Sequence, residues 1–230
     1  MAATSRAVSR EQFIMTNRPG LNVAAAFAVL AVWAGVYWFL HPHPPTGDAA
    51  PHQALGAVLA REALQRCKPE ARLVVIARDA QPFAVPACEA QLDGFLAELK
   101  KSGRTVGLFL RIKLDPLRPP AVPPGDFFDL IRRGKDDDVI VSFLGPPTLD
   151  ETQIAKLGAR RPTILAVCPG TLPQRLDLRQ LFSRKLLTAA VISRLEANPR
   201  PGASRGQAAF DQCFKLITAE NVAELPTPNT

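Results

Sequence analysis

The chain has 230 residues, 47% hydrophobic and 21% charged, and a formal net charge of +7. The basic excess is spread rather than clustered, which argues against a nucleic-acid partner and leaves anionic lipid headgroups or an acidic protein as the electrostatic options. Four cysteines with no Cys-x-x-Cys pair, and only three histidines, exclude zinc-ribbon and thioredoxin-like sites.

The first element is the run Leu21–Leu40, LNVAAAFAVLAVWAGVYWFL, twenty residues without a charge. A helix of that length spans roughly 30 Å, the hydrocarbon thickness of a bilayer, so a single transmembrane helix in contact with the lipid bilayer is expected. Arg6, Arg10 and Arg18 precede it against one acid, Glu11, and no Lys or Arg follows until Arg61. Positive charge marks the cytoplasmic side. The expected organisation is therefore a cytoplasmic arm over 1–20, the membrane helix over 21–40, a Pro-rich linker over 41–51, an extracytoplasmic α/β domain over 52–222 and a disordered tail over 223–230. The expected location is a bacterial-type inner (plasma) membrane, with the domain periplasmic or extracellular. Trp33, Tyr37 and Trp38 crowd the outer end, at the interfacial depth such rings favour. Two alternatives fit less well. A cleaved leader, with Gly47–Ala50 as its cleavage region, has an apolar stretch of only about 7–15 residues. A core helix of this length normally carries a polar face.

The linker, with four prolines in His41–Pro51, reads as a short semi-rigid spacer in which His41 and His43 are solvated. Roughly 180 residues then remain, enough for one domain with a sizeable core. A helix over Gln53–Cys67 precedes the first of five short, nearly continuous apolar runs: Leu73–Ala77, Val106–Ile112, Val139–Leu144, Thr163–Val167 and Leu187–Ile192. Such runs mark strands buried on both faces. Helical patterns alternate with them over Ala87–Lys101, Asp126–Arg133, Thr148–Gly158 (with a capping-box spacing from Thr148 to Glu151) and Leu176–Arg184, and a last helix is expected over Ser204–Ala219. The fold class is α/β: a three-layer α/β/α sandwich with a mostly parallel five-stranded sheet, preceded by one transmembrane helix.

In such sheets ligands bind beyond the C-terminal strand ends, where strand order reverses. For a 2-1-3-4-5 order this places Arg78 and Asp79, after the first strand, and Gly145, after the third, around one crevice as candidate ligand-binding residues. The phosphate-binding motifs G-x-G-x-x-G and G-x-x-x-x-G-K-[ST] are absent, as is a G-x-S-x-G elbow, and no His follows His52 to complete a Ser–His–Asp triad. Asp136-Asp137-Asp138 reads as a solvated turn balanced by Arg132, Arg133 and Lys135 rather than a cation site, because adjacent side chains entering a strand diverge. No metal and no cofactor are expected. Of the cysteines Cys67, Cys88, Cys168 and Cys213, a Cys168–Cys213 disulfide could staple the last helix to the sheet; buried free thiols are the equal alternative.

The stretches LGAVLAREALQRC, RLVVIARD, ELKKSGRTVGLFL and KDDDVIVSFLG, within residues 53–194, resemble one lobe of the type I periplasmic binding proteins. That resemblance implies a helix preceding a strand and small loop. It also implies a ligand, a sugar or amino acid, held between two lobes. This chain has length for one, so a complete cleft would require a second chain. The function expected is that of a non-enzymatic, membrane-anchored accessory or structural protein. Its outer domain would dock on a protein partner in a membrane complex, or on a second copy of itself. The alternative is a small-ligand-binding or sensing module using the strand-end crevice. An enzyme using carboxylates or Ser142 is the least supported reading.

Overall fold

The computed structural model describes residues 19–40, 48–81, 84–114, 121–194 and 204–225. The expectations for the arm, for His41 and His43, and for 226–230 of the tail lie outside the described residues; the first tail residues are not disordered, because Val222–Glu224 form a 3-10 turn and Leu225 is buried, with the Arg179 guanidinium donating to the Ala223 and Leu225 carbonyls. The chain divides into two compact units, Met1–Pro45 and Thr46–Thr230.

In the first unit, Pro19–Leu40 form one 22-residue helix, α1, with no acid in its first turn and no base in its last. Its side chains are described over 27–37, where Trp33 and Tyr37 are exposed; the side chain of Trp38 lies outside the described residues. Among the described residues no helix is long and apolar enough to cross a membrane. The transmembrane helix expected over Leu21–Leu40 is therefore not found among the described residues.

The second unit begins with helix α2 (Ala49–Arg66). The Asp48 carboxylate accepts a hydrogen bond from the Ala50 N–H at 3.0 Å, capping its N-terminus. Strand β1 (Leu73–Arg78) follows, then α3 (Pro86–Lys101), β2 (Leu108–Ile112), α4 (Pro124–Arg133) and β3 (Val139–Ser142). Next come α5 (Glu151–Leu157), β4 (Thr163–Cys168), the short α6 (Leu172–Arg175) and α7 (Leu178–Ser183), β5 (Ala189–Ser193), α8 (Gln207–Cys213) and β6 (Phe214–Thr218).

The strand order is β2-β1-β3-β4-β5-β6. The first five strands are parallel, and β6 lies antiparallel to β5 on the edge. The sheet is thus mixed and six-stranded, not five-stranded. The helix expected over Ser204–Ala219 stops at Cys213. Phe-Lys-Leu-Ile-Thr then alternates between the two faces, Phe214 and Leu216 joining one core and Ile217 the other. A second correction concerns α5. Asp150, not Thr148, is its N-cap: the carboxylate accepts from Gln153 N at 2.7 Å, and the Gln153 side chain returns a bond to Asp150 N.

Alternating strand residues feed two cores. Leu55 and Leu59 of α2, Phe95 and Leu99 of α3 and Phe210 of α8 meet Val75, Val141, Leu165 and Val191 on one face. Phe127 and Ile131 of α4, Leu157 of α5 and Leu178 of α7 meet Val74, Ile76, Ile140 and Ile164 on the other. The result is the expected three-layer sandwich. All four cysteines are free. Cys168 packs in one core and Cys213 against the other, so the sheet separates them and the Cys168–Cys213 bridge does not form.

The three aspartates diverge as their geometry requires, but not toward the partners expected. Asp136 faces Arg160 at 3.6 Å, Asp137 pairs with Lys68 at 2.6 Å and Asp138 with Arg72 at 2.6 Å. Asp138 is not a solvated turn residue. It is buried, and it also accepts the Lys135 N–H at 2.9 Å. Arg132 and Arg133 pair instead with Asp129.

Candidate functional site

The strand order reverses at β1: α3 leads from β1 to β2 on one side, and α4 leads back past β1 to β3 on the other. An open cleft of about 250 Å³ lies there, at the C-terminal ends of β1 and β3 and against the first turns of α3. Its floor is apolar: Ala77, Leu92, Phe143 and Leu144 line it. Phe143 is fixed twice, by its N–H donating to Ile76 O at 2.9 Å and by edge-to-face packing on Phe95 at 5.5 Å.

Charged side chains ring that floor. Arg78 ends β1, Arg111 comes from β2, and Glu89 and Asp93 stand one turn apart on α3. Among the described residues Arg78, Glu89 and Asp93 form no ion pair or side-chain hydrogen bond, whereas Glu62–Arg66 and Glu98–Lys101 on the neighbouring helical surface are paired. Arg111 sits 5.0 Å from the Phe109 ring centroid. Cys88 lies between the two signs of charge. Its burial pushes the thiol above its ordinary value, the Arg78 guanidinium pulls it down, and Glu89 pushes it up.

Of the residues singled out from sequence, Arg78 is on the cleft wall. Asp79 is turned to local work: its N–H donates to Ile112 O at 2.9 Å and its carboxylate accepts from Gln81 N at 3.3 Å. Gly145 is buried, with φ +94° and Leu172 packed over it, so it offers a ligand no surface. The sequence reading passed over Arg111, Glu89, Asp93 and Cys88. Two signals were present: an Arg interrupting an otherwise apolar strand, and two acids at i and i+4 on a helix starting after a strand end.

The α3 wall is positioned by α2. Gly56 lies against the Gln91 backbone, and Gly94 against that of Gln53; an added Cβ would come within 1.9 Å and 2.1 Å of the facing carbonyl oxygens. His52, on α2, reaches Gln91 Nε2 at 3.3 Å and packs on Phe214 at 5.7 Å. Its burial lowers its pKa, against a smaller opposing pull from Asp48. Among the described residues no group of His, Cys, Asp and Glu is arranged to hold a metal ion.

No protein-family model and no curated protein sequence matches the chain. Solved structures do. A periplasmic ribose ABC transporter protein from Conexibacter woesei is 12% identical, with a TM-score of 0.49, over 75% of this chain and 59% of that one. A solute-binding protein from Agrobacterium vitis bound to α-D-tagatopyranose is 15% identical, with a TM-score of 0.49, over 77% and 61%. A galactofuranose-binding protein is 9% identical, with a TM-score of 0.47, over 76% and 61%. The chain spans about three fifths of the length of these proteins. The likeness is one of fold, to periplasmic binding proteins.

Proposed function

We propose that this chain is a non-enzymatic, extracytoplasmic ligand-binding or sensing module, and that the cleft at the ends of β1 and β3 is its binding site. The observation that carries the reading is the ring of unpaired charge around an apolar floor at the point where strand order reverses. Open parallel sheets place their ligands at this point. Unpaired charges beside a concavity hold a polar ligand without first breaking an internal pair.

In this proposal α1 anchors the module in a bilayer. What supports this is the sequence, in which the twenty residues Leu21–Leu40 carry no charge. The basic residues before it orient the arm to the cytoplasm. A second reading, docking on a protein partner or a second copy within a membrane complex, is favoured by one feature. The cleft, between the strand ends and the first turns of α3, is open, and another chain could close it.

The test is a thermal-shift screen of the full chain in detergent against sugars, amino acids and small anions. A ligand at one hundred times its Kd stabilises by about 2.7 kcal/mol, and that raises Tm by roughly 5–10 °C for a domain of this size. The shift is expected to vanish in Arg78→Ala. A screen without hits, together with a partner that copurifies stoichiometrically, favours the docking reading.

A further inference from the structure

We propose a second binding site, separate from the cleft, that takes a phosphate group. It lies at the opposite end of the sheet, where β4 and β5 begin and β6 ends, in an open pocket of about 340 Å³. Arg66, Arg161 and Lys185 bring positive charge to the lining, and Thr163, Thr188 and Thr218 bring hydroxyls. The donors keep protons to spare. Arg161 gives Nε to Arg184 O at 3.0 Å and Nη1 to Gly158 O at 2.9 Å and Arg160 O at 2.7 Å. Those carbonyls fix the guanidinium without neutralising it, and its Nη2 remains free to donate. Arg66 bonds Glu62 through Nε and Nη2, which leaves Nη1. Thr188 Oγ1 accepts from Ile164 N at 3.3 Å and Thr218 Oγ1 from Glu220 N at 3.4 Å, so each hydroxyl still has its own proton to give.

Lys185 is the sharper signal. It follows α7 with φ +59°, its N–H donating to Phe182 O at 3.0 Å as the chain turns out of the helix. At comparable helix ends the chain uses glycine: Gly103 after α3, with φ +69°, and Gly158 after α5, with φ +59°. Among the described residues Lys185 is the one side chain held in this left-handed conformation. A side chain there strains the backbone, and strain of this kind is retained where the residue itself is needed. The Lys185 ammonium makes no ion pair or hydrogen bond among the described residues, so no contact within the domain offsets that strain. The donor set selects the ligand. It offers more protons than the two oxygens of a carboxylate can accept, whereas phosphate presents three or four oxygens around one centre. Glu220, the acid of the lining, can only accept. It favours an oxyanion that carries a proton near neutral pH, as inorganic phosphate does and sulfate does not.

The test is isothermal titration of the full chain in detergent, in phosphate-free buffer at fixed ionic strength, with inorganic phosphate, sulfate, acetate and glycerol 3-phosphate. Phosphate is expected to bind saturably and one to one. Sulfate binds at least about tenfold more weakly, the scale of one charged hydrogen bond, and acetate does not bind. Lys185→Gly separates a binding role from a structural one. It relieves the strain at φ +59°, so Tm without phosphate stays the same or rises, while phosphate affinity falls at least about tenfold. Lys185→Arg retains binding, and Arg78→Ala, in the cleft, titrates with phosphate as the native chain does. Dihexanoyl phosphatidic acid distinguishes the sources: tighter binding than glycerol 3-phosphate marks a lipid headgroup, and equal binding a free phosphate compound. Sulfate bound as tightly as phosphate would overturn the choice of phosphate and leave an anion site. Phosphate affinity unchanged in Lys185→Gly, or no saturable binding to the native chain, would overturn the site itself.

Discussion

Substituting Gly56 by Ala sets two effects of known size against each other. Alanine is the better helix former by about 1 kcal/mol, so an isolated α2 would gain. In the folded domain the new Cβ would stand 1.9 Å from Gln91 O and 2.7 Å from Phe95 N, both backbone atoms of α3. Backbone cannot rotate away as a side chain does, so the helices must part by roughly an ångström, unseating Phe95 and Leu99 from the core. Overpacking of a well-filled interior costs about 1–3 kcal/mol, and a backbone clash belongs at the upper end. The net effect is a loss of about 2 kcal/mol, and Tm falls by roughly 4–8 °C. Differential scanning calorimetry of Gly56→Ala measures it. Gly125→Ala is the control: its Cβ meets nothing within 4 Å, so it is neutral or slightly stabilising. Because α3 carries Cys88, Glu89 and Asp93, Gly56→Ala also accelerates alkylation of Cys88. An unchanged or raised Tm would refute the close-packing argument for the α2–α3 pair.

Three further outcomes follow from the structure. Asp138→Ala removes the acceptor of Arg72 and of the Lys135 N–H from a buried position; charged hydrogen bonds of this kind put the loss at about 2–3 kcal/mol, and urea titration reads it as a lower midpoint at unchanged slope. Burial holds the His52 pKa below 6.5 in the folded state, so the unfolded chain binds the proton first as pH falls. Neutral His52 is therefore compatible with full stability above pH 6.5, and stability declines below it until the folded-state pKa is passed; His52→Gln flattens that part of the Tm–pH profile. Cys168 is buried, with its thiol pushed up to about 12, so iodoacetamide at neutral pH leaves it unmodified in the native protein and labels it in urea. Mild oxidant forms no Cys168–Cys213 link.

The layered fold was legible because its cause is local. Continuous β-branched runs such as Leu73–Ala77 and Val139–Leu144 can be buried only on both faces, and the helical patterns between them leave few ways to cover those faces. The sixth strand was hidden by its neighbour: Gln207–Cys213 is helical, and five residues of Phe-Lys-Leu-Ile-Thr are too short for a two-residue period to stand out from a helical one. The site was half legible. Arg78 follows from strand order, since the residue ending β1 at a reversal faces the crevice. Arg111, Glu89 and Asp93 converge only after β2 pairs with β1 and α3 folds back across the sheet, and neither event is written in a local pattern. Gly145 failed for the opposite reason: its position at a strand end is right, but Leu172, 27 residues on, covers it.

Isothermal titration of the full chain with the compound that gives the largest thermal shift, repeated on Arg78→Ala and Arg111→Ala, tests the central claim most directly. The account predicts saturable one-to-one binding to the native protein and a loss of at least about tenfold in affinity in each variant, the scale of one charged hydrogen bond in a cleft. Saturable binding with the same Kd in both variants would contradict it, because the ligand would then sit elsewhere on the molecule.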